Sequence, residues 1–233
     1  MKLPQEPKNS IRQVRSESTQ AALMQAAEKL IAERGIENVS IRDIVSAAGQ
    51  KNESALQYHF KNFTGLIDAI HARRSAEIQS KRTELIDALL SEVPAPSLRQ
   101  ICELMVLPLF ELARLKVEFR RYIKAFGHEL VLSETSALSK ATSQGGGGIS
   151  GVQLAKLLKQ VLPHLDEQAY QRRMEAAVRL CSASMYHQAR QKNAFRGDQA
   201  DLYCHSLIDA LVGLLSAPES DQTKAIAKKI SSK

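Results

Sequence analysis

Asn52, Ser54, Gln57, Tyr58 and His59 fall within one short stretch, bracketed by Lys51 and Lys61. The amides of asparagine and glutamine hold a donor and an acceptor side by side, the pattern that matches adenine in a major groove. Serine, tyrosine, histidine and lysine suit phosphate oxygens. Asn52, Ser54 and Gln57 are therefore candidate base readers, and Arg42, Lys51, Tyr58, His59 and Lys61 candidate phosphate contacts. The chemistry on offer is non-covalent recognition of duplex DNA.

Such side chains need a rigid support. Ser40 and Asp43 have the spacing of a reciprocal helix cap, and Ile41, Ile44 and Val45 recur at helical spacing, so a short helix is expected over Ile41 to Ala48. Gly49, after Ala47-Ala48, supplies the positive φ at which a helix can stop. A second helix is expected from Glu53 to Phe60, burying Ala55, Leu56 and Phe60 and turning the polar residues outward. A preceding helix, Ser18 to Arg34, buries Leu23, Ala26, Ala27, Leu30 and Ile31 and ends at Gly35. A fourth begins near Asn62 and runs through Leu66 and Ile70 into the polar segment HARRSAEIQSKRTELIDALL. A polar helix face most often simply meets water; the glycine turn, the cap and the aromatic exit Tyr58-His59-Phe60 together favour recognition.

In order, Ala26-Ala27, Leu30-Ile31, Arg34-Gly35, Val39 through Ile44, Ala47-Ala48-Gly49, Tyr58-His59-Phe60 and Leu66 resemble the DNA-binding domain of the TetR family of bacterial transcriptional regulators over Thr19 to Ile70. The resemblance implies an all-α protein: an N-terminal three-helix helix-turn-helix domain followed by a larger helical ligand-binding and dimerisation domain. It also implies a homodimer on a near-palindromic operator, a small-molecule effector, and repression by occupancy. Gly49 to Phe60 is one residue longer than the usual family spacing. Phe63 stands where the family has a lysine, and Lys61 is the substitute phosphate contact.

The chain of 233 residues carries a formal charge of +7 and is 44% hydrophobic, enough for one small and one larger core. Residues 1–74 hold eleven Lys or Arg against eight Asp or Glu, so the charge is not concentrated there and the motif carries the DNA reading. Four segments are expected: a flexible basic arm over 1–16, with Arg12 and Arg15 able to touch DNA; the DNA-binding domain over 17–70; a helical regulatory and dimerisation domain over 71–217; and a polar basic tail over 218–233. Pro94 and Pro96 mark a break, and Pro108 should kink or divide the helical stretch around it. The Gly145–Gly148 run reads as a flexible loop. It lacks the Lys-Ser/Thr of a phosphate-binding loop, and no cofactor is expected.

Glu167 to Lys192, with Tyr170, Met174, Ala177, Val178, Cys181 and Met185 on one stripe, and Gln199 to Ser216, with Leu202, His205, Ile208, Leu211, Val212 and Leu215 on another, are expected to pair with their copies in a four-helix dimer interface, as the resemblance implies. Met105, Phe119, Tyr122, Phe126, Met174 and Tyr186, with Phe110 and His128 beside them, are candidates to line an effector cavity, although apolar residues at helical spacing mostly fill interiors. The chain is not expected to be an enzyme. Its six histidines have no metal-ligand spacing, and a site from His187, Cys204 and His205 would require an antiparallel approach of the last two helices. A helical protein-binding adaptor is the other alternative, and it leaves the outward Asn52 to His59 unexplained. With no apolar signal core near the N-terminus and no run of 18 apolar residues, no membrane partner and a cytoplasmic location are expected. Cys102, Cys181 and Cys204 are expected to be reduced, packed thiols.

Overall fold

The computed structural model describes residues 8–143 and 147–231, and among these it contains helices and no strand. The head consists of α1 (Lys8–Arg34), a 3-10 turn at Ile36–Asn38, α2 (Ile41–Ala47) and α3 (Ser54–Phe60). The long α4 (Phe63–Glu92) leads into a body of α5 (Leu98–Leu115), α6 (Val117–Phe126), α7 (Glu129–Leu132), α8 (Ala137–Ser143), α9 (Gly148–Val161), α10 (Glu167–Ala189) and α11 (Gly197–Ser216), followed by α12 (Asp221–Ser231). No single helix among the described residues is long and apolar enough to cross a membrane.

Two hydrophobic clusters follow from the sequence pattern. In the head, Leu23, Ala27, Leu30 and Ile31 of α1 meet Ile44 and Val45 of α2, Leu56 and Phe60 of α3, and Leu66 and Ile70 of α4. The same cluster extends to Ala125 and Phe126 of α6, so the head core includes part of the body. The body core gathers Ile86 of α4 with residues such as Ile101, Phe110, Phe119, Leu158, Ile208 and Leu211. At about 1.5 Å per residue, the thirty residues of α4 make a strut about 45 Å long that belongs to both cores.

Several expectations need correction. Helix α1 starts at Lys8, so much of the expected arm over 1–16 is helical, and residues 1–7 lie outside the described residues. Pro108 sits inside a continuous α5; the break comes at Lys116, whose extended φ of −118° ends one helix and opens the next. Flanking burial of Val106, Phe110, Leu112 and Ala113 holds α5 together across the hydrogen bond that proline forfeits. Of the glycine run, Gly145 and Gly146 lie outside the described residues, while Gly147 and Gly148 are seen and Gly148 opens α9. Residues 221–231 of the expected polar tail form α12, with Ile226 and Ile230 exposed one turn apart. On α11 Ile208, Leu211 and Leu215 of the expected interface stripe are buried together with Ala200, Cys204 and Leu207, while Leu202 and His205 of that stripe are exposed on this single chain.

Candidate nucleic-acid interface and internal cavity

The support for α3 is built locally. Ser40 Oγ accepts from the Asp43 backbone N–H at 3.2 Å while the Asp43 carboxylate accepts from Ser40 N–H at 3.0 Å, closing the expected capping box. The Ser40 hydroxyl also donates to the Asp43 carboxylate at 2.6 Å, and this bond, with that from the Ser40 backbone N–H, holds the Asp43 carboxyl below the usual carboxylate range. At its far end α2 stops at Gly49, whose φ of 68° lies in the left-handed region that glycine adopts without a Cβ penalty. Leu56 is fully buried and Phe60 nearly so, which fixes the rotation of α3. Ala55 is only partly covered.

That rotation turns Ser54, Gln57 and Tyr58 outward, and Tyr58 is 75% exposed although it is a large aromatic. Arg42, Lys51, Asn52 and Lys61 are exposed as well, while His59 is half-buried, its ring edge-on to Tyr58 at 5.0 Å. Asn52 is partly committed: its side-chain oxygen accepts from Ser54 Oγ in the turn before α3, so its NH2 is the group it can offer to a base. All eight candidate contacts thus belong to one short stretch of α2, turn and α3, and none is buried.

The end of α3 is unusual. Lys61 has φ 69° and ψ −49°, and the Asn62 N–H donates to the Phe60 carbonyl at 2.8 Å, which makes a classical γ-turn centred on a non-glycine residue. Such a turn is strained and persists only where its surroundings hold it. Here Asn62 holds it by capping α4, its Oδ1 accepting from Gly65 N–H at 2.8 Å. Gly65 in turn has no room for a side chain, because a Cβ there would collide with the Phe60 carbonyl oxygen. No pattern of hydrophobicity signalled this lock.

Between α4, α5, α6, α9 and α10 lies a cavity of about 520 Å3. Met105, Tyr122, Phe126 and Met174 of the six expected cavity residues line it. Phe119 does not: its fully buried ring lies under the Arg74 guanidinium at 5.0 Å and near Lys116 at 5.8 Å. Tyr186 packs instead on His128 and under Arg190, and Phe110 packs on Phe195, so these side chains are occupied elsewhere. Missing from the expectation are His71, Ser75, Ile78 and Arg82 of α4, which recur at helical spacing along the cavity wall. Being mostly polar, they read in the sequence as a solvated face.

Tyr122 Oη and His71 Nδ1 share a hydrogen bond of 3.1 Å, and His71 Nε2 lies 3.5 Å from Glu129. Burial, with Glu129 and Glu28 nearby, pushes the Tyr122 phenol upward and keeps it neutral. Behind this pair, Arg74 forks onto Glu28 of α1 with two bonds of 2.6 Å, both side chains almost wholly buried. Burial alone would lower the Arg74 pKa, but the bonds and charges of Glu28 and Glu77 outweigh it and raise it. The cavity wall and the head are therefore joined through α4 and α6.

One wall is held by Glu175 of α10. Its carboxylate accepts from Ser136 Oγ, from the N–H groups of Ala137 and Leu138 at the start of α8, and from Arg179. Arg179 itself donates to the carbonyls of Leu130, Val131, Ser133 and Thr135. Burial opposes the charge on Glu175, but these donors outweigh it and bring the carboxyl down from 4.5 to about 2. A depressed acid adds stability above its unfolded value and loses it as pH falls toward the folded value. Thermal stability should accordingly decline below about pH 4.5, and Glu175→Gln should flatten that decline when melting is followed from pH 7 to pH 3.

Among the described residues no group of three or more His, Cys, Asp or Glu is placed to hold a metal, and His187 bonds Gln191 while Cys204 is buried and His205 exposed. Burial raises the Cys102 and Cys181 thiols to about 12 and Cys204 to about 11, which makes them poor nucleophiles.

Residues 23–70 match the family model of bacterial regulatory proteins, tetR family. No curated protein matches the sequence. Among solved structures, a TetR family transcription regulator from Marinobacter aquaeolei VT8 aligns with a TM-score of 0.59 at 16% identity, over 87% of this chain and 98% of that one. A TetR-family regulator structure from Rhodococcus sp. aligns with a TM-score of 0.54 at 18% identity, over 83% of this chain and 98% of that one. The chain carries the N-terminal helix-turn-helix domain of the bacterial tetR-family regulators on a fold shared with that family's transcription regulators.

Proposed function

We propose that the protein is a sequence-specific transcriptional regulator of the cytoplasm, a ligand-responsive repressor that acts as a homodimer on a near-palindromic operator. The observation that carries this reading is the outward face of α3, where Ser54, Gln57 and Tyr58 stand exposed on a helix anchored by buried Leu56 and Phe60. A helix of seven residues is about 10 Å long and can meet only a few base pairs, so useful specificity calls for two heads.

The body offers a surface for that pairing. On α11, Leu202, His205, Ser206, Asp209, Ala210 and Gly213 face solvent, an outward arc rich in small side chains that lets helices approach closely, and a Cβ at Gly213 would meet nothing within 4 Å. Exposed Ala176 and half-buried Leu180 and Ala183 on α10 extend the surface. The cavity supplies a place for an effector, and its Tyr122–Phe126 wall belongs to α6, which packs on α1 of the head. An effector can switch the protein only if it binds the two head arrangements with different affinity.

Selection of random duplex DNA by the purified chain, sequenced at two salt concentrations, tests the reading. An enriched inverted repeat is expected; salt-sensitive binding without a motif would reduce it to nonspecific attraction. With the selected site in hand, Gln57→Ala should relax preference at one base position by about 1–3 kcal/mol, whereas Tyr58→Phe should weaken all sequences alike. Equal loss on every sequence from Gln57→Ala would make Gln57 a phosphate contact.

A further inference from the structure

A second hollow, of about 390 Å3, lies where the head meets the body, and no residue lines both it and the apolar cavity. One wall is α1, with Lys29 and Glu33; another is α6, with Arg120, Arg121 and Lys124; the third is the turn between α10 and α11, with Arg196. Among the described residues lining it, five cations less one carboxylate leave +4, out of +7 for the whole chain. None of the five forms an ion pair with a carboxylate among the described residues. Arg120 donates through Nη1 to the carbonyls of Ala113 at 2.7 Å and Arg114 at 3.3 Å, which fixes its guanidinium against the end of α5 with one of three nitrogens. The turn that carries Arg196 is fixed as well: Gln188 Nε2 donates to the Ala194 carbonyl, and Arg114 Nε to that of Phe195 at 3.2 Å. Buried Ala189, Ala194 and Phe195 give the hollow an apolar floor. Cations on one solvated face can splay apart in water, but these reach a single concavity from three elements. Their mutual repulsion is offset when an anion sits among them.

We infer that this hollow binds a small anion with two or more linked phosphoryl groups, whose oxygens join Lys29 of the head to Arg120, Arg121 and Lys124 of the body and to Arg196. A phosphoryl group presents oxygens in several directions, which suits donors arriving from three sides, whereas a carboxylate presents two in one plane. Guanidinium groups fork onto phosphate, and a lysine adds a point charge beside them. Arg120 and Lys124 stand one turn apart, about 6 Å along α6, and Lys29 and Arg196 come from other elements, so the positive charge is spread over a length that suits linked phosphoryl groups better than one. Helix α6 packs against α1 and contributes Ala125 and Phe126 to the head core, so an anion held by both helices ties head to body at their joint. The site is separate from the effector cavity, and only its consequence at DNA rests on the regulator reading above.

Calorimetric titration of the full chain with inorganic pyrophosphate, orthophosphate and citrate tests it, in about 0.15 M salt so that distant charges are screened. Pyrophosphate should bind at a single site per chain, about tenfold or more tighter than either orthophosphate or citrate. The double variant Arg121→Gln with Lys124→Gln should weaken pyrophosphate by about tenfold or more, whereas Lys156→Gln, which removes an exposed charge of α9 outside the hollow, should leave it unchanged. Should the double variant not fold, Arg196→Gln gives the same comparison. Absence of pyrophosphate binding, citrate or orthophosphate bound as tightly, or equal loss from Lys156→Gln would overturn the inference. So would a double variant that, with no pyrophosphate present, loses affinity for duplex DNA of every sequence by as much as it loses for pyrophosphate, since its cations would then serve the DNA backbone. Affinity for the selected DNA site, measured with and without pyrophosphate, separates the site from its consequence. A change that disappears in the double variant shows coupling from the hollow to the head, and unchanged DNA affinity beside the expected binding upholds the site while removing its regulatory role.

Discussion

Arg74→Met should lower the stability of the protein by about 3–5 kcal/mol, the usual cost of deleting one member of a buried ion pair. The argument rests on the partner left behind. Glu28 is 1% exposed, on a face of α1 packed with Leu23, Ala27, Leu30 and Ile31, and its two oxygens accept from Arg74 Nε and Nη2 at 2.6 Å each. Without the guanidinium, the carboxylate is stranded where water cannot replace those bonds. For a chain of this size the loss corresponds to a fall in melting temperature of roughly 10 °C.

The pair Glu28→Leu with Arg74→Met should recover most of that loss, because replacing both partners removes the desolvation penalty along with the attraction. Glu77, which also accepts from Arg74 at 2.9 Å, keeps Lys116 at 2.7 Å as a partner and is not stranded. Chemical denaturation of the parent, both single variants and the double variant gives the coupling directly. A single Arg74→Met variant as stable as the parent would show that the pair contributes nothing. If the double variant is stable but its DNA affinity no longer responds to a ligand, the pair serves to transmit movement from α4 to α1.

This pair also shows where reading the sequence ends. Ser40, Asp43, Gly49 and the apolar stripe of α1 were legible because capping, turning and burial are decided by residues a few positions apart. Met105, Tyr122, Phe126 and Met174 were legible as cavity candidates because apolar periodicity marks an inward face. Glu28 and Arg74 are 46 residues apart, each on a helix whose charged residues look solvated in isolation, and only the packing of α4 on α1 brings them together. The same blindness hid His71, Ser75 and Arg82, since a polar stripe that faces a cavity has the periodicity of one that faces water. It also misassigned Phe119, whose ring looked available until Arg74 was seen lying over it. On α11 the stripe expected at the dimer interface holds exposed Leu202 and His205 beside buried Ile208, Leu211 and Leu215, because apolar spacing gives only a broad arc and packing against α5 and α10 decides which part of it the chain itself covers.

Gly65→Ala should abolish specific DNA binding while costing about 1–3 kcal/mol of stability, the range for forcing an extra methyl into a filled space. On helix propensity alone the substitution should help, because alanine is favoured over glycine by about 1 kcal/mol inside a helix. The local geometry reverses the sign: the added Cβ meets the Phe60 carbonyl oxygen, which already accepts from Asn62 N–H at 2.8 Å, and has the Asn62 side-chain oxygen 3.6 Å away. The obstacle is backbone, so relief requires α3 to move relative to α4, and Phe60, the C-terminal anchor of α3, would move with it. Gln57 and Tyr58, one turn earlier on the same short helix, would lose their aim. Lys61→Gly acts on the same turn in the opposite direction: it removes the strain of φ 69° on a side-chain-bearing residue and should stabilise by about 0.5–1 kcal/mol. Its DNA affinity should fall equally on all sequences if Lys61 holds a phosphate. Denaturation and DNA binding measured on both variants separate the two effects, because a Gly65→Ala protein that binds the selected site with the parent's affinity would mean that the γ-turn does not set the position of α3.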